Sequence, residues 1–146
     1  MKTNEAGRDI IKLYEGLRLQ SYLCPALKWT IGWGHTGPEV HKGMVITEVE
    51  AEGLLTKDLT WAEASVGKEV KVVLNSNQAS ALSSFVFNLG TGAFTSSTLL
   101  KRLNAGEFEA VPLELLKWCH AGGKVLAGLR KRREAEGQLF KRAVAS

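Results

Sequence analysis

Sulfur is scarce in this chain: Cys24 and Cys119 are its two cysteines, far apart in sequence. That spacing implies no disulfide framework, so the fold must be held by buried surface rather than by cross-links. Long apolar runs are missing too. No stretch approaches the ~18 residues needed to span a bilayer. Met1 to Gly7 carries no apolar segment of the signal-peptide kind. The reading is therefore no signal peptide or anchor and no stable membrane insertion. His35, His41 and His120 fall at spacings that match no ligand pattern, so no metal and no cofactor are expected. Internal repeats, low-complexity tracts and clean linkers are absent as well.

What is present is ordinary for a soluble globular protein: 146 residues, 45% hydrophobic and 23% charged. That length gives one domain with a real core, or two small lobes sharing one. The formal charge is +4 and the isoelectric point near 9.2. A basic surface suits polyanions: nucleic acid, anionic lipid, or cell wall carrying carboxylates. The cations crowding the C-terminal segment (Arg130, Lys131, Arg132, Arg133, Lys141, Arg142) go round the expected helix rather than forming a reader face. No nucleic-acid partner is therefore expected, and the cations read mainly as a solvated basic face. The chain is expected to be a monomer.

In chain order, Asn4 to Glu15 reads as a helix with Ile10, Leu13 and Tyr14 on one face and Gly16 as its stop. Leu19 to Leu23, Lys28 to Gly34 and Glu39 to His41 read as short strands of a small antiparallel sheet. Thr47 and Glu50 form a capping box that opens a helix near twenty residues long, through Ala51, Leu55, Leu59, Ala62 and Val66. Asn75 and Gln78 open another, buried nearly all round and ending at Gly90 to Gly92. Thr95 to Ser97 can cap a short helix, Glu107 to Trp118 reads as a further one, Gly122-Gly123 as a break, and Leu126 to Ala143 as the last helix.

The densest chemistry lies between Tyr14 and Gly37. Glu15 ends a helical pattern, Cys24 follows after eight intervening residues and Thr30 after five more, with a Cys24-Pro25-Ala26 turn between them. A helix followed by a hairpin can bring these three to one spot. The spacing Glu, eight residues, Asp or Cys, five residues, Thr resembles the motif of the phage-type lysozymes, glycoside hydrolase family 24. The flanking Glu-Gly-Leu-Arg-Leu and Thr-Ile-Gly-Trp-Gly-His-Thr-Gly are similar to that family, as are Ser83 to Phe94 and Trp118 to Leu129. The resemblance covers nearly the whole chain.

It implies an α+β, lysozyme-like fold: a small N-terminal lobe with a three-stranded antiparallel sheet, a long connecting helix, a larger all-helical C-terminal lobe, and a cleft between them. The whole of 1–146 would be one catalytic domain, with a small lobe about 14–50 and a helical lobe about 67–146 packed with the N-terminal helix. It implies an endolysin muramidase acting on the β-1,4 bond between N-acetylmuramic acid and N-acetylglucosamine. The partner would be bacterial peptidoglycan, reached from the host cytoplasm after release and cut at the wall, in the periplasm. A catalytically impaired wall-binding protein of the same fold is the alternative, because Cys24 stands at the family's Asp position.

Glycosidic hydrolysis needs an acid at the leaving oxygen and a group on the far face to handle water or the sugar cation. Glu15, at the helix end that disfavours an anion, suits the acid role. Cys24 is open to four readings: water positioner, base, covalent nucleophile, or a buried packing residue. Thr30 has the size and polarity to hold water. By resemblance Asn88, Thr95 and Ser97 would line the sugar groove, and His35 would form a structural ion pair with Asp58; Tyr22, as an aromatic residue, could stack on a sugar face in substrate binding or just pack. Either Arg132 or Arg133 could pair with Glu15.

Overall fold

Local chemistry starts each main helix. The computed structural model describes residues 1–143; the end of the expected 1–146 domain, residues 144–146, lies outside them. Asn4 caps α1 (Glu5–Glu15), its side chain accepting from Gly7 N at 3.0 Å. Thr47 and Glu50 form a reciprocal capping box at the start of α2 (Glu48–Glu69), and Asn75 and Gln78 form another at α3 (Ser76–Leu89). The remaining helices are α4 (Thr91–Thr95), α5 (Thr98–Asn104), α6 (Val111–Leu115) and α7 (Ala127–Lys141). None of the described helices is long and apolar enough to cross a membrane.

The fold is α+β. Strands β1 (Arg18–Leu23), β2 (Trp29–Gly32) and β3 (His35–Thr36) form an antiparallel sheet in the order β1-β2-β3. The third strand is therefore not Glu39–His41. Gly34, at φ +80°, turns the chain back at once, so pairing resumes at His35 opposite Ile31. Pro38 then has no N–H to offer a ladder, and Glu39–His41 lies in turns instead. The chain next covers the outer edge of β1, where Ser21 N donates to Met44 O and Ile46 N to Leu19 O, each at 2.9 Å.

Two apolar clusters share two helices. Ile31, Trp33, Val40 and Ile46 from the sheet region pack with Ile11 of α1 and Ala51, Leu55 and Leu59 of α2. Farther along α2, Ala62 and Val66 join Leu82, Phe85 and Val86 of α3, Leu99 and Leu103 of α5, and Leu139 and Phe140 of α7. One helix thus serves the sheet with its first half and the helical layer with its second. On α1 the buried position is Ile11 at 0% exposure, while Leu13 is 74% exposed, so the expected Leu13 face is corrected.

The C-terminal half also departs from expectation. Residues 107–118 are not one helix: a 3₁₀ turn, Phe108–Ala110, precedes α6, whose first turn holds Pro112 where its missing N–H costs nothing. Gly122 and Gly123, at φ +58° and +78°, close a hairpin between β4 (His120–Ala121) and β5 (Lys124–Val125). The solvated basic face expected of α7 is wrong for two of its cations. Arg132 and Arg133 are buried, with Glu136 on the next turn fully buried against them.

Candidate active site

The last residue of α1, Glu15, reaches the seam between the two clusters. Its side chain is 23% exposed, and its Oε2 accepts from Arg132 Nη1 at 2.9 Å. On the other side the backbone of Gly34 comes so close that a Cβ there would stand 3.0 Å from Oε1. The carboxylate is thus held between a hairpin turn and a buried guanidinium. Arg132 is itself fixed from behind: its Nη2 donates to Ser84 O at 3.2 Å, and its Nε to Glu136 Oε2 at 3.4 Å. Ser84 Oγ donates to that same Glu136 oxygen at 2.6 Å. Arg133 Nε lies 3.2 Å from Glu136 Oε1, out of line for a hydrogen bond, so both atoms and Arg133 Nη1 have no hydrogen-bond partner among the described residues. Burial pushes the Glu136 carboxyl above its ordinary range despite the two guanidiniums, and burial holds Arg133 below its own.

Cavities lie on both sides of Glu15. One, of about 330 Å³, is lined by Glu15, Gly34, Thr36, Asp58, Trp61, Phe87 and Asn88. A second, also about 330 Å³, shares Glu15 and Asn88 and continues past Tyr14, Leu126, Leu129 and Arg132. A third, about 380 Å³, shares Thr36 and runs over Lys28, Trp29 and Pro38. Neighbouring cavities share lining residues, Glu15 and Asn88 between the first two and Thr36 between the first and third, so they adjoin in a row that includes Glu15. An extended polymer fits such a shape better than a compact small molecule does.

Cys24 and Thr30 form a pair of their own. Hydrogen bonding from the Lys28 backbone and then from the Thr30 side chain holds the Cys24 thiol below the ordinary thiol range. Thr30 is buried and its Oγ1 donates to Lys28 O at 3.1 Å. One hydroxyl proton cannot serve that carbonyl and the sulfur together, so an ionised Cys24 would take it from Lys28 O. Thr30 faces Thr36 across the β2–β3 pairing, and Tyr22 faces Thr30 across β1–β2. Directly paired residues share a sheet face, which puts Tyr22, Thr30 and Thr36 on one side, and Thr36 lines the groove. Among the described residues, Cys24, Thr30 and Tyr22 do not themselves line the cavities beside Glu15. The Tyr22 ring is covered by the Arg18 guanidinium at 4.5 Å.

Of the other expected groove residues, Asn88 lines both Glu15 cavities, and its Oδ1 accepts from Arg133 Nη2, which orients the amide. Ser97 is corrected: it is buried and caps α5, its Oγ accepting from Leu100 N at 3.0 Å and donating to Phe94 O at 2.7 Å. Thr95 is exposed at the end of α4, where its hydroxyl donates back to Thr91 O at 2.6 Å; it is not among the residues lining the cavity beside Glu15. His35 is gripped twice, with Nδ1 2.7 Å from Asp58 and Nε2 2.7 Å from Glu39. Burial alone would lower its pKa, but the hydrogen bonds it donates to Glu39 and Asp58 outweigh that and raise it. Cys24 and Cys119 are free thiols.

Sequence reasoning did not single out Gly34, Thr36, Trp61 or Phe87 as groove residues. Trp61 was findable: it lies three residues past Asp58, on the same face of the long helix. Glu136 was findable too, one turn from both Arg132 and Arg133.

Residues 12–136 match the family described as Phage lysozyme. The chain is 46% identical over 147 residues to the endolysin of Acyrthosiphon pisum secondary endosymbiont phage 1, covering 98% of this chain and 100% of that protein. It is 48% identical over 142 residues to the endolysin of Bacillus phage B103, and there it spans 54% of the relative's length. Among solved structures, the muramidase domain of SpmX from Asticaccaulis excentricus superposes with a TM-score of 0.91 at 37% identity, covering 97% of this chain and 99% of that one.

Proposed function

The chain belongs to the phage lysozyme family of glycoside hydrolases, and we propose that it is an endolysin muramidase cleaving the β-1,4 bond between N-acetylmuramic acid and N-acetylglucosamine in bacterial peptidoglycan. The observation that carries this reading is the placement of Glu15, a carboxyl group shared by two adjoining cavities, with Arg132 bonded to one oxygen and the Gly34 backbone close to the other. Arg132 occupies Oε2 and leaves Oε1, beside Gly34, as the oxygen that holds the proton. Glu15 then protonates the glycosidic oxygen as the bond to the anomeric carbon breaks. Water adds to the sugar cation from the far face, oriented by Thr30 and Cys24; the depressed thiol gives Cys24 the character of a weak base. Residues 1–146 act as one catalytic domain, in which a small lobe, about 14–50, and a helical lobe, about 67–146 with α1, close the groove from two sides.

Clearing of outer-membrane-permeabilised cells, followed by mass spectrometry of the products, tests this. Wild type should clear the suspension and release fragments with muramic acid at the reducing end, whereas Glu15→Gln should bind wall and leave it intact. Anhydro-sugar products would make the protein a transglycosylase. Wild-type binding without clearing would make it the wall-binding alternative. Cys24→Ala and Cys24→Ser at wild-type rates would remove the thiol from the mechanism.

A further inference from the structure

We propose that Trp61 is a sugar-stacking platform, the open side of an aromatic pair that holds one N-acetylated pyranose ring of the glycan in the groove beside Glu15. The proposal rests on the muramidase reading for its ligand class and adds a residue to the binding surface.

Trp61 stands on α2 where that helix passes from one apolar cluster to the other, between Leu59 on the sheet side and Ala62 on the helical side. Both neighbours are buried, yet Trp61 remains 42% exposed and belongs to neither cluster. A single exposed aromatic residue is ordinary on a protein surface. Position distinguishes this one: it lines the same cavity as Glu15. The ring lies nearly parallel to that of Phe87, at 15° and 6.3 Å between centroids. Phe87 packs against both clusters, so the pair is backed by the most constrained part of the molecule.

Aromatic faces carry negative charge density, and one face of a β-linked pyranose presents only weakly positive C–H groups, so the two are complementary. Polar groups surround the platform at the edges where sugar hydroxyl and acetamido groups would project. Asp58 sits one helical turn away on the same helix face, held by His35 at 2.7 Å. Thr36 and Asn88 complete the rim. The two aromatic rings are the apolar part of a cavity whose lining is otherwise mostly polar, which suits a sugar, with its C–H face and its ring of hydroxyl groups. Trp61 shares the cavity with Glu15 but carries no acid or base, so its effect falls on binding rather than on proton transfer.

The test uses Glu15→Gln protein, which cannot turn substrate over, titrated with tetra-N-acetylchitotetraose while tryptophan fluorescence and calorimetric heat are recorded. Adding Trp61→Ala should weaken binding about tenfold, the size of one lost aromatic contact. Trp61→Phe should keep affinity within about threefold while losing most of the fluorescence change, because Trp29, Trp33 and Trp118 remain and are not the reporters. In the active enzyme, Trp61→Ala should raise KM for wall fragments with kcat within about twofold, the signature of lost uniform binding. Thermal midpoints within a few degrees of the parent show that the variants fold. Unchanged affinity in Trp61→Ala, Phe behaving like Ala, or no binding by Glu15→Gln would each overturn the platform. Trp61-dependent binding by a protein whose wild type clears no cells would overturn the hydrolase reading and leave the platform standing.

Discussion

A methyl group at Gly34 would act in two ways at once. The residue holds φ at +80°, where any L side chain costs about 1 kcal/mol or more, and its new Cβ would stand 3.0 Å from Glu15 Oε1. The backbone cost falls on stability, while the collision falls on the oxygen proposed to carry the catalytic proton. Gly34→Ala should therefore fold, with a midpoint lower by a few degrees, and should clear cells at least about tenfold more slowly, since ~1.4 kcal/mol of misplacement is a factor of ten. Turbidity loss and a thermal melt on the same preparation check both halves. A folded variant at the wild-type rate would mean that Oε1 is not the working oxygen. At this scale the motif marked Glu15, Cys24 and Thr30 as candidates, because spacing along a helix and a hairpin is local; Glu15 lines two cavities, while Cys24 and Thr30 lie outside the lining of both. What surrounds Glu15 was legible in part. The basic last helix offered Arg132 or Arg133 as its partner, and Arg132 is the one that reaches it, whereas the close approach of the Gly34 backbone is set by how the hairpin folds against α1 and not by spacing.

His35 joins three elements by its two nitrogens: β3, on which it lies, α2 through Asp58, and the turn after β3 through Glu39. Its pKa is raised and that of Glu39 is lowered, each by the other's hydrogen bond among its causes. The sign follows. A histidine bound more tightly to its proton in the folded state contributes fully below its unfolded value of about 6.5 and loses that contribution as pH rises through the raised folded value. Glu39 sets the lower limit, its share fading as pH falls through its depressed value. The brace between sheet and long helix is therefore strongest in mildly acidic solution. Wild type should melt a few degrees higher at pH 5.5–6 than at pH 8–9 relative to His35→Asn, whose curve should be flatter. Parallel pH curves for the two proteins would show that the imidazole is held neutral throughout. Elements governed by their own ends were readable in advance: both capping boxes are satisfied by residues three apart. The third strand was misplaced because a turn at Gly34, not strand propensity, decides where pairing resumes, and the GG hairpin was read as a break although its two left-handed residues are what a tight turn requires.

Charge works at the scale of the whole molecule, and burial decides where it acts. Of the buried ionisable side chains other than His35, Arg132 and Arg133 are balanced by Glu114 and Glu136, so the full formal +4 stays at the surface. That separation gives salt two distinct targets. Surface attraction to an anionic wall acts over a distance that falls from about 10 Å at 0.1 M salt to about 3 Å at 1 M. The buried bridge from Glu15 through Arg132 to Glu136 is screened far less, because little solvent reaches it. Raising sodium chloride from about 0.05 M to about 0.5 M should slow cell clearing several-fold through a higher KM, with kcat on a short neutral chitooligosaccharide little changed. The thermal midpoint should move by only a degree or two over the same range. A fall in kcat on the neutral substrate would locate the salt effect in the site itself and show that Arg132 holds Glu15 through an exposed, screenable contact. A rate indifferent to salt would mean that recognition of the wall rests on the groove alone, with the basic surface playing no part in bringing enzyme and polymer together.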